Sequence, residues 1–357
     1  MNGVDLEKVL LAAQKNERED NLDIALSKET FYEKIASNFE FHKASLKPTI
    51  KVPEVETLTS TDEDGDEVQK VRFFFLDAKE DKNDSTKLQL FGKVQKAGTK
   101  NEWLSCCVVV ENCKKHIFLV KKKNTSYSAM ELDIRNKIKG MELGYKENIQ
   151  IYPKIKKKYC FDFDIAQGEV DCIEIVYPNK KQYESCFDQI GSTYKGKFGS
   201  SITSWQHFLF ERGVKGPCWL EFSCFQKVSK ASKVSYCQTE FVVEAIEDIE
   251  VAEATDKDNK KMEFPSLKVA YIDIKKCPKR RELETVCLNL IEDYNLQEKN
   301  KVQKVSPIIL SCNQILQSDI LREKYSGNLT FFDEEEKLLS TLLAKLFLFD
   351  ADLIVGH

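Results

Sequence analysis

The sequence predicts an α+β region followed by an α/β region, that is, two folded parts within 357 residues. Apolar residues make up 42% of the chain, enough for more than one core, and roughly 150 residues per domain gives about two domains. Runs of aromatic and β-branched residues separated by polar turns begin at Val71 and indicate antiparallel strands. From Leu267, three strands, an amphipathic helix and a last apolar run follow in the order of an α/β sheet.

The first 69 residues are predicted to be an acidic, partly helical leader that ends in a flexible linker. They carry 16 acidic and 8 basic side chains, a net charge of −8, so the remainder of the chain carries +4. Short helical patterns occur within residues 6–13 and 31–39. Residues 57–67 are polar and acidic, and they contain too few apolar groups to offset the entropy of ordering. A domain boundary is therefore expected near residue 70.

Residues 70–215 are predicted to form an amino-terminal mixed antiparallel β domain. Its first strands are expected at residues 71–77, 87–94, 103–110 and 117–120, and two later ones within 149–164 and at 171–177. A helix is expected at about residues 128–141 between these two groups. Thr203 is the predicted N-cap of a second, short helix that ends near Gly213.

Residues 216–357 are predicted to form a second domain. Residues 216–222 lead into a strand, and three further strands are expected at 267–274, 285–291 and 307–311. A helix then begins after Asp333, the predicted N-cap, with Glu336 completing a capping box. Its predicted apolar stripe consists of Leu339, Leu342, Leu343, Leu346 and Phe349. With the buried strand predicted at 353–355, this order is the opening of a ribonuclease H-like sheet.

Cysteine and histidine usage argues against disulfides and metal centres. The chain has 12 cysteines but no Cys-x-x-Cys, and its four histidines have no metal-ligand spacing. No apolar run approaches the roughly 20 residues that a membrane span needs, and the start lacks a basic flank before an apolar stretch. Reduced thiols, no zinc, no membrane contact and no export are therefore expected. The Cys106-Cys107 pair is interpreted as core packing.

Two lysine clusters are the candidate nucleic-acid-binding residues. The candidates are Lys121, Lys122, Lys123, Lys154, Lys156, Lys157 and Lys158, and Lys114 and Lys115 lie near the first cluster. One interpretation is a solvated surface. The other is contact with phosphates, with Phe118, Tyr152 and Tyr159 as stacking partners for bases.

The end of the chain carries the most specific motif. Residues 349–357 read F-D-A-D-L-I-V-G-H, which resembles the D-P-D-I-I-V-G-H-N segment at the second exonuclease motif of family B DNA polymerases. Residues 214–221, V-K-G-P-C-W-L-E, are similar to a run in the branch of that family that extends RNA primers. The resemblance covers about residues 70–357 in order, and it implies that residues 216–357 are a partial 3′–5′ exonuclease-like domain.

The first exonuclease motif departs from the proofreading pattern. Two-metal exonucleases need several converging carboxylates, and the family's Asp-x-Glu places two on one face of a strand. Here the segment reads Asp273-Ile274-Lys275, so an ammonium stands where a carboxylate is needed. Charges of +1 and +2 at about 4 Å repel by roughly 8 kcal/mol at an effective dielectric of about 20. Asp273 is thus interpreted as a vestigial position, no catalytic or metal-ligating residue is predicted, and the domain is expected to be inactive.

The resemblance implies the rest of the expected function. The segment ends at His357 before the rest of the second motif, and the palm signatures that hold Mg²⁺ for nucleotidyl transfer do not occur in these 357 residues, so the fragment is expected to be a silent scaffold that helps hold template. The parent enzyme would extend RNA–DNA primers on a DNA template in the nucleus, with primase and an accessory B subunit as partners. An active metal-dependent exonuclease and a stand-alone nucleic-acid-binding module remain alternatives.

Overall fold

The computed structural model describes residues 53–61, 65–140, 148–158, 169–180, 183, 193–252, 263–276, 283–295, 306–312 and 328–356. These residues fall into two compact units, one at Val52–Pro265 and one that contains Ser266–His357. The helical patterns predicted within residues 6–39 and the polar segment at residues 297–304, between the strands predicted at 285–291 and 307–311, lie outside the described residues. Among the described residues, no helix is both long and apolar enough to cross a membrane.

The first unit contains a large, mostly antiparallel sheet. Its strands are β1 (Leu58–Thr61), β2 (Glu67–Glu80), β3 (Leu88–Gln95), β4 (Trp103–Val110), β9 (Cys218–Phe222), β10 (Phe225–Lys227), β11 (Thr239–Val243) and β12 (Ile249–Val251). They lie in the order β10-β11-β4-β3-β2-β9-β12, with β1 paired to β2. The meander β2-β3-β4 confirms the predicted strands, and β11 joins β4 in parallel.

One core lies on a single face of this sheet and buries the apolar side of a short helix, α2 (Ser204–Arg212). The predicted caps of α2 are confirmed: Thr203 accepts a hydrogen bond from the Gln206 backbone N–H, and the Gln206 side chain accepts one from the Thr203 N–H. Gly213 ends the helix with φ 67° in the left-handed region. Phe208, fully buried, packs against Phe75 at 6.0 Å between ring centroids.

A second, four-stranded sheet belongs to the same unit. It consists of β5 (Lys114–Lys121), β6 (Gln150–Lys158), β7 (Glu169–Pro178) and β8 (Tyr194–Phe198), in the order β6-β7-β5-β8 and antiparallel throughout. Helix α1 (Tyr127–Lys139) follows β5 and covers one face, where Met130 and Ile134 pack against Ile117 and Ile175. The predicted strand at 117–120 therefore lies in this sheet and does not extend the meander.

The second unit is an α/β layer. Strands β13 (Leu267–Lys276), β14 (Leu283–Tyr294), β15 (Ile308–Ser311), β16 (Leu329–Phe331) and β17 (Leu353–Gly356) lie in the order β16-β15-β14-β13-β17. Helix α3 (Glu335–Phe349) packs Leu338 and Leu342 against Ala270, Val286 and Leu288. Three antiparallel strands, a helix and a parallel strand β17 beside β13 agree with the predicted opening of the sheet.

Four expectations need correction. Part of the predicted linker, Leu58–Thr61, forms β1 because it pairs with β2. The domain boundary predicted at residue 216 would separate β9 from the large sheet, but β9 pairs with β2 in that sheet. The two units divide between Pro265 and Ser266 instead. Helix α3 has Glu334 as its N-cap, with no side-chain cap bond, in place of the Asp333 capping box. Leu343, assigned to the buried stripe of α3, is 38% exposed.

Candidate functional site

Strand β13 carries the two residues that the exonuclease motif singles out. Asp273 and Lys275 lie two residues apart on the exposed end of the strand, so both side chains project from the same face. The Lys275 ammonium is 3.5 Å from a carboxylate oxygen of Glu284 on the adjacent strand β14. Lys275 thus stands where the motif requires a carboxylate, and its charge interacts with the nearest acid.

The second motif segment, residues 349–357, connects helix α3 to strand β17. The Asp352 carboxylate accepts a hydrogen bond from the Lys268 backbone N–H at 2.7 Å, and the Asp352 N–H donates to the Lys268 carbonyl at 2.8 Å. The Lys268 ammonium donates to the Phe349 carbonyl at 3.1 Å and lies 5.6 Å from the centre of the Phe349 ring. These contacts set the register of β17 against β13 at the point where α3 ends.

Asp350 is the residue at which the chain leaves helix α3 and turns towards strand β17. Its backbone lies in the left-handed region, at φ 53° and ψ 58°, and its N–H bonds to the last carbonyls of α3. Left-handed backbone is uncommon for residues other than glycine, but aspartate tolerates it better than most. The Asp-x-Asp of this motif therefore ends a helix and starts a strand.

The described carboxylates at these two motifs do not fit a divalent ion. A two-metal exonuclease needs several unengaged carboxylates at one point. Asp352 is occupied by backbone of β13, and Glu284 lies beside an ammonium. No group of three or more His, Cys, Asp or Glu side chains in the described part of the chain is placed to hold a metal ion. The described residues at the motifs thus offer no site for Mg²⁺, and the absence of catalytic residues stays a prediction.

The predicted nucleic-acid-binding lysines belong to the four-stranded sheet. Lys121 ends β5, and Lys122 and Lys123 follow it as exposed residues. Lys154, Lys156, Lys157 and Lys158 lie on β6, the edge strand. Lys121 and the β6 lysines thus belong to one sheet, although Lys121 and Lys154 are 33 positions apart in sequence.

The Cys106-Cys107 pair lies in the large sheet of the first unit. The described cysteines are free thiols, and Cys106 and Cys107 are buried in β4. Burial raises the pKa of both thiols, because a thiolate is disfavoured away from water. This supports the interpretation of that pair as core packing.

Sequence reasoning missed two parts of the site. Glu284 could not be identified, because only the β13–β14 register brings it near Lys275. Lys268 gave no signal either, since its contacts join residues 81 and 84 positions apart. The Asp-x-Asp spacing before an apolar run was the only sequence signal for the connection between α3 and β17.

Part of the chain matches a known protein family. Residues 195–357 match the family model described as the DNA polymerase family B exonuclease domain. The DNA polymerase alpha catalytic subunit of Sterkiella nova is 27% identical over 310 residues, covering 80% of this chain and 20% of that protein. The subunit of Arabidopsis thaliana is 24% identical over 346 residues, covering 83% of this chain and 22% of its own length. The subunit of Xenopus laevis is 26% identical over 324 residues, covering 83% and 21%.

The solved structures include a family B DNA polymerase from Pyrobaculum calidifontis. It has 12% sequence identity and a TM-score of 0.49, with 80% of this chain and 30% of that chain covered. This chain spans about a fifth of the length of the curated relatives it matches.

Proposed function

We propose, on the premise that this chain is related to the catalytic subunits of DNA polymerase alpha in family B, that it forms the amino-terminal region of such a subunit. Residues 53–252 would supply a β-rich domain, and residues 266–356 the first half of an exonuclease-like domain. In this role the region is a scaffold that helps hold single-stranded template, and it carries out no bond-breaking chemistry itself.

The proposal extends to the whole enzyme. The parent subunit extends RNA primers with dNTPs at the start of DNA synthesis, with Mg²⁺ held by its palm. Its substrates are a DNA template and an RNA–DNA primer, its partners are primase and an accessory B subunit, and its place is the nucleus. The resemblance and the relatives' names support this assignment.

The observation that carries the scaffold role is the pairing of Lys275 with Glu284 at 3.5 Å. An ammonium at this position disfavours a divalent cation beside Asp273, and it gives the nearest carboxylate a different partner. Asp352 is likewise engaged, by the Lys268 N–H. Glu284 beside the first motif and Asp352 of the second motif segment thus have structural contacts, which favours a scaffold over the alternative of an active exonuclease.

Template holding is tested by titrating the chain with a fluorescent single-stranded DNA at several salt concentrations. We expect weak binding whose log affinity falls with log salt by about 0.7 for each phosphate neutralised. Replacing Lys156, Lys157 and Lys158 with glutamate should weaken binding and flatten this slope. The matched control replaces three exposed lysines of the large-sheet region, Lys79, Lys82 and Lys100, with glutamate.

Two outcomes would contradict the proposal. Equal losses in the two triple variants would mean that binding follows net charge alone, so the β6 cluster would be an ordinary solvated surface. No binding by the unaltered chain at low salt would remove the template-holding role altogether.

A further inference from the structure

The loop between β10 and β11 contains a tandem repeat of a lysine and a serine. Residues 227–235 read K-V-S-K-A-S-K-V-S, so the triplet Lys-x-Ser occurs three times in succession. The repeated serines are Ser229, Ser232 and Ser235, and each follows a lysine by two positions. Residues 225–239 contain no acidic residue, which gives this segment a net charge of +3. The loop is thus a basic segment with hydroxyl groups at regular spacing.

Glu240 on β11 anchors the second half of this loop. It is 1% exposed, and its carboxylate accepts hydrogen bonds from the backbone N–H of Val234 at 3.1 Å and from the N–H and hydroxyl of Ser235 at 3.0 and 2.6 Å. A buried carboxylate is costly unless hydrogen bonds satisfy it, so these donors stabilise the charge. The Ser235 hydroxyl is therefore engaged inside the loop.

Two further contacts hold this half of the loop in place. The Lys233 ammonium donates to the Cys237 carbonyl, and the Gln238 N–H donates to the Ser105 hydroxyl of β4 at 2.9 Å. Residues 233–238 are thus fastened to each other and to the large sheet. Release of this segment requires several hydrogen bonds to open together.

The first half of the loop forms an exposed turn. Ser229 and Ser232 are both exposed, their hydroxyls lie 3.0 Å apart, and the Ser232 N–H donates to the Ser229 carbonyl at 3.0 Å. Lys230 and Ala231, between them, are exposed as well. These bonds lie within the turn, so opening it breaks no hydrogen bond of the sheet. The Ser232 hydroxyl can therefore be reached from solvent.

We propose that Ser232 is a phosphorylation site for a serine/threonine protein kinase that selects basic substrates, and that Glu240 protects Ser235 from the same enzyme. Kinases of this kind discriminate substrates by the pattern of charges around the serine. Ser232 has lysines two and five positions before it, and so does Ser235, whereas Ser229 has only the nearer one. Lysine spacing therefore ranks Ser232 and Ser235 together, and the loop structure separates them.

The reaction transfers the γ-phosphoryl group of ATP to Ser232. The bond from the γ-phosphorus to the bridging oxygen of ADP breaks, a bond from the phosphorus to the serine Oγ forms, and the hydroxyl proton passes to a base of the kinase. The phosphate carries about −1.5 to −2 charges near pH 7, so residues 225–239 fall from +3 to about +1 to +1.5. At Ser235 the same phosphate would lie beside the buried Glu240 carboxylate, and like-charge repulsion disfavours it.

The test compares the folded 357-residue chain with a synthetic peptide of residues 225–239. Each is incubated with ATP and the catalytic domain of cAMP-dependent protein kinase or of protein kinase C, and mass spectrometry of the digest gives the initial rate at each serine. The ratio of the Ser232 rate to the Ser235 rate should be at least about tenfold higher in the folded chain than in the peptide. Only in the folded chain must several hydrogen bonds open before Ser235 reacts, which lowers its reactive population by about tenfold or more.

Glu240→Gln tests the anchor directly. Glutamine keeps the size of the side chain and one acceptor oxygen, so the fold should survive, which circular dichroism checks. Because glutamine has one carbonyl oxygen in place of two carboxylate oxygens, a bond to Val234 or to Ser235 is lost. The rate at Ser235 should rise at least about threefold, and the rate at Ser232 should stay within about twofold.

Lysine substitutions test recognition by charge. Lys230→Ala removes the lysine two positions before Ser232 and should slow phosphorylation there at least about fivefold, in the folded chain and in the peptide. Lys100→Ala is the matched control, because Lys100 is also exposed but lies between β3 and β4. It should leave the rate at Ser232 within about twofold.

Three results would overturn the proposal. They are no phosphate on Ser232 of the folded chain with either kinase, an equal ratio of the two rates in the chain and in the peptide, and equal slowing by Lys230→Ala and Lys100→Ala. Phosphate on Ser232 that depends on Lys230, together with protection of Ser235 only in the folded chain, supports it. Template holding is not involved in any of these measurements, so the proposed function stands or falls separately.

Discussion

Replacing His207 with glutamine should make the unit at residues 52–265 less sensitive to acid. The His207 ring of α2 packs on the His116 ring of β5, with 4.2 Å between the ring centroids. Burial, and then the charge of His116, lower the pKa of His207 to about 4 from an ordinary 6.5. Glu211, Glu247 and Glu174 act in the opposite direction and are outweighed.

The sign of the effect follows from proton binding. Between about pH 6.5 and pH 4 the unfolded chain protonates this imidazole and the folded chain does not, so acid favours unfolding. Stability from the neutral His207 is complete above pH 6.5 and is lost as the pH falls towards 4. The full shift corresponds to about 3.4 kcal/mol, and partial solvent access reduces this to about 1–2 kcal/mol at pH 4.5.

Urea unfolding at pH 7.5, 6.0 and 4.5 measures this contribution. Other groups also titrate, so the relevant quantity is the stability of the unaltered chain minus that of His207→Gln at each pH. This difference should fall by about 1–2 kcal/mol between pH 7.5 and 4.5. Parallel curves for the two proteins, or an NMR titration in which the His207 ring protonates near pH 6.5, would refute the reasoning.

Three further predictions concern local packing. Gly92→Ala should cost about 3 kcal/mol or more in urea unfolding, since the new Cβ would lie 2.0 Å from the Phe74 carbonyl oxygen and 2.7 Å from the Phe73 ring; a loss below 1 kcal/mol would contradict this. Thr203→Ala removes the capping bond of α2 and should cost about 1 kcal/mol, whereas Thr203→Ser should be nearly neutral. Asp352→Ala should cost about 1–2 kcal/mol and Asp352→Asn clearly less, since asparagine keeps an acceptor for the Lys268 N–H; equal losses would show that the charge matters more than the hydrogen bond.

Local sequence patterns predicted the elements well where neighbouring residues determine them. The Trp103–Val110 strand matches its prediction residue for residue, because it is a continuous apolar run that is buried on both faces. The α2 caps at Thr203 and Gly213 were also predicted, since they act through contacts within one helix; the reciprocal bond of Gln206 was not predicted.

Local sequence patterns did not predict which distant strands pair with each other. The parallel contact of β11 with β4 joins residues more than 130 positions apart, and β9 lies beside β2 because Leu220 and Phe222 complete the core around Phe73. The boundary at residue 216 followed the local change from helix to strand, which says nothing about the strand with which β9 pairs. In the candidate site, Lys275 was identified from the motif, but its partner Glu284 depends on the β13–β14 register.

The predicted stacking partners show the same limit. Phe118 and Tyr152 were named from sequence as stacking partners because lysines surround them. Their alignment across β5, β7 and β6 required the strand order. Tyr159, named with them, lies outside the described residues.

The scaffold role of the exonuclease-like unit is tested most directly by incubating the chain with a 5′-labelled single-stranded DNA and Mg²⁺ or Mn²⁺. We expect no shortening of the strand by the unaltered chain or by Asp273→Ala, because the Lys275 ammonium lies at the motif and Glu284 and Asp352 are engaged. Metal-dependent shortening that Asp273→Ala abolishes would contradict the account and establish an active exonuclease.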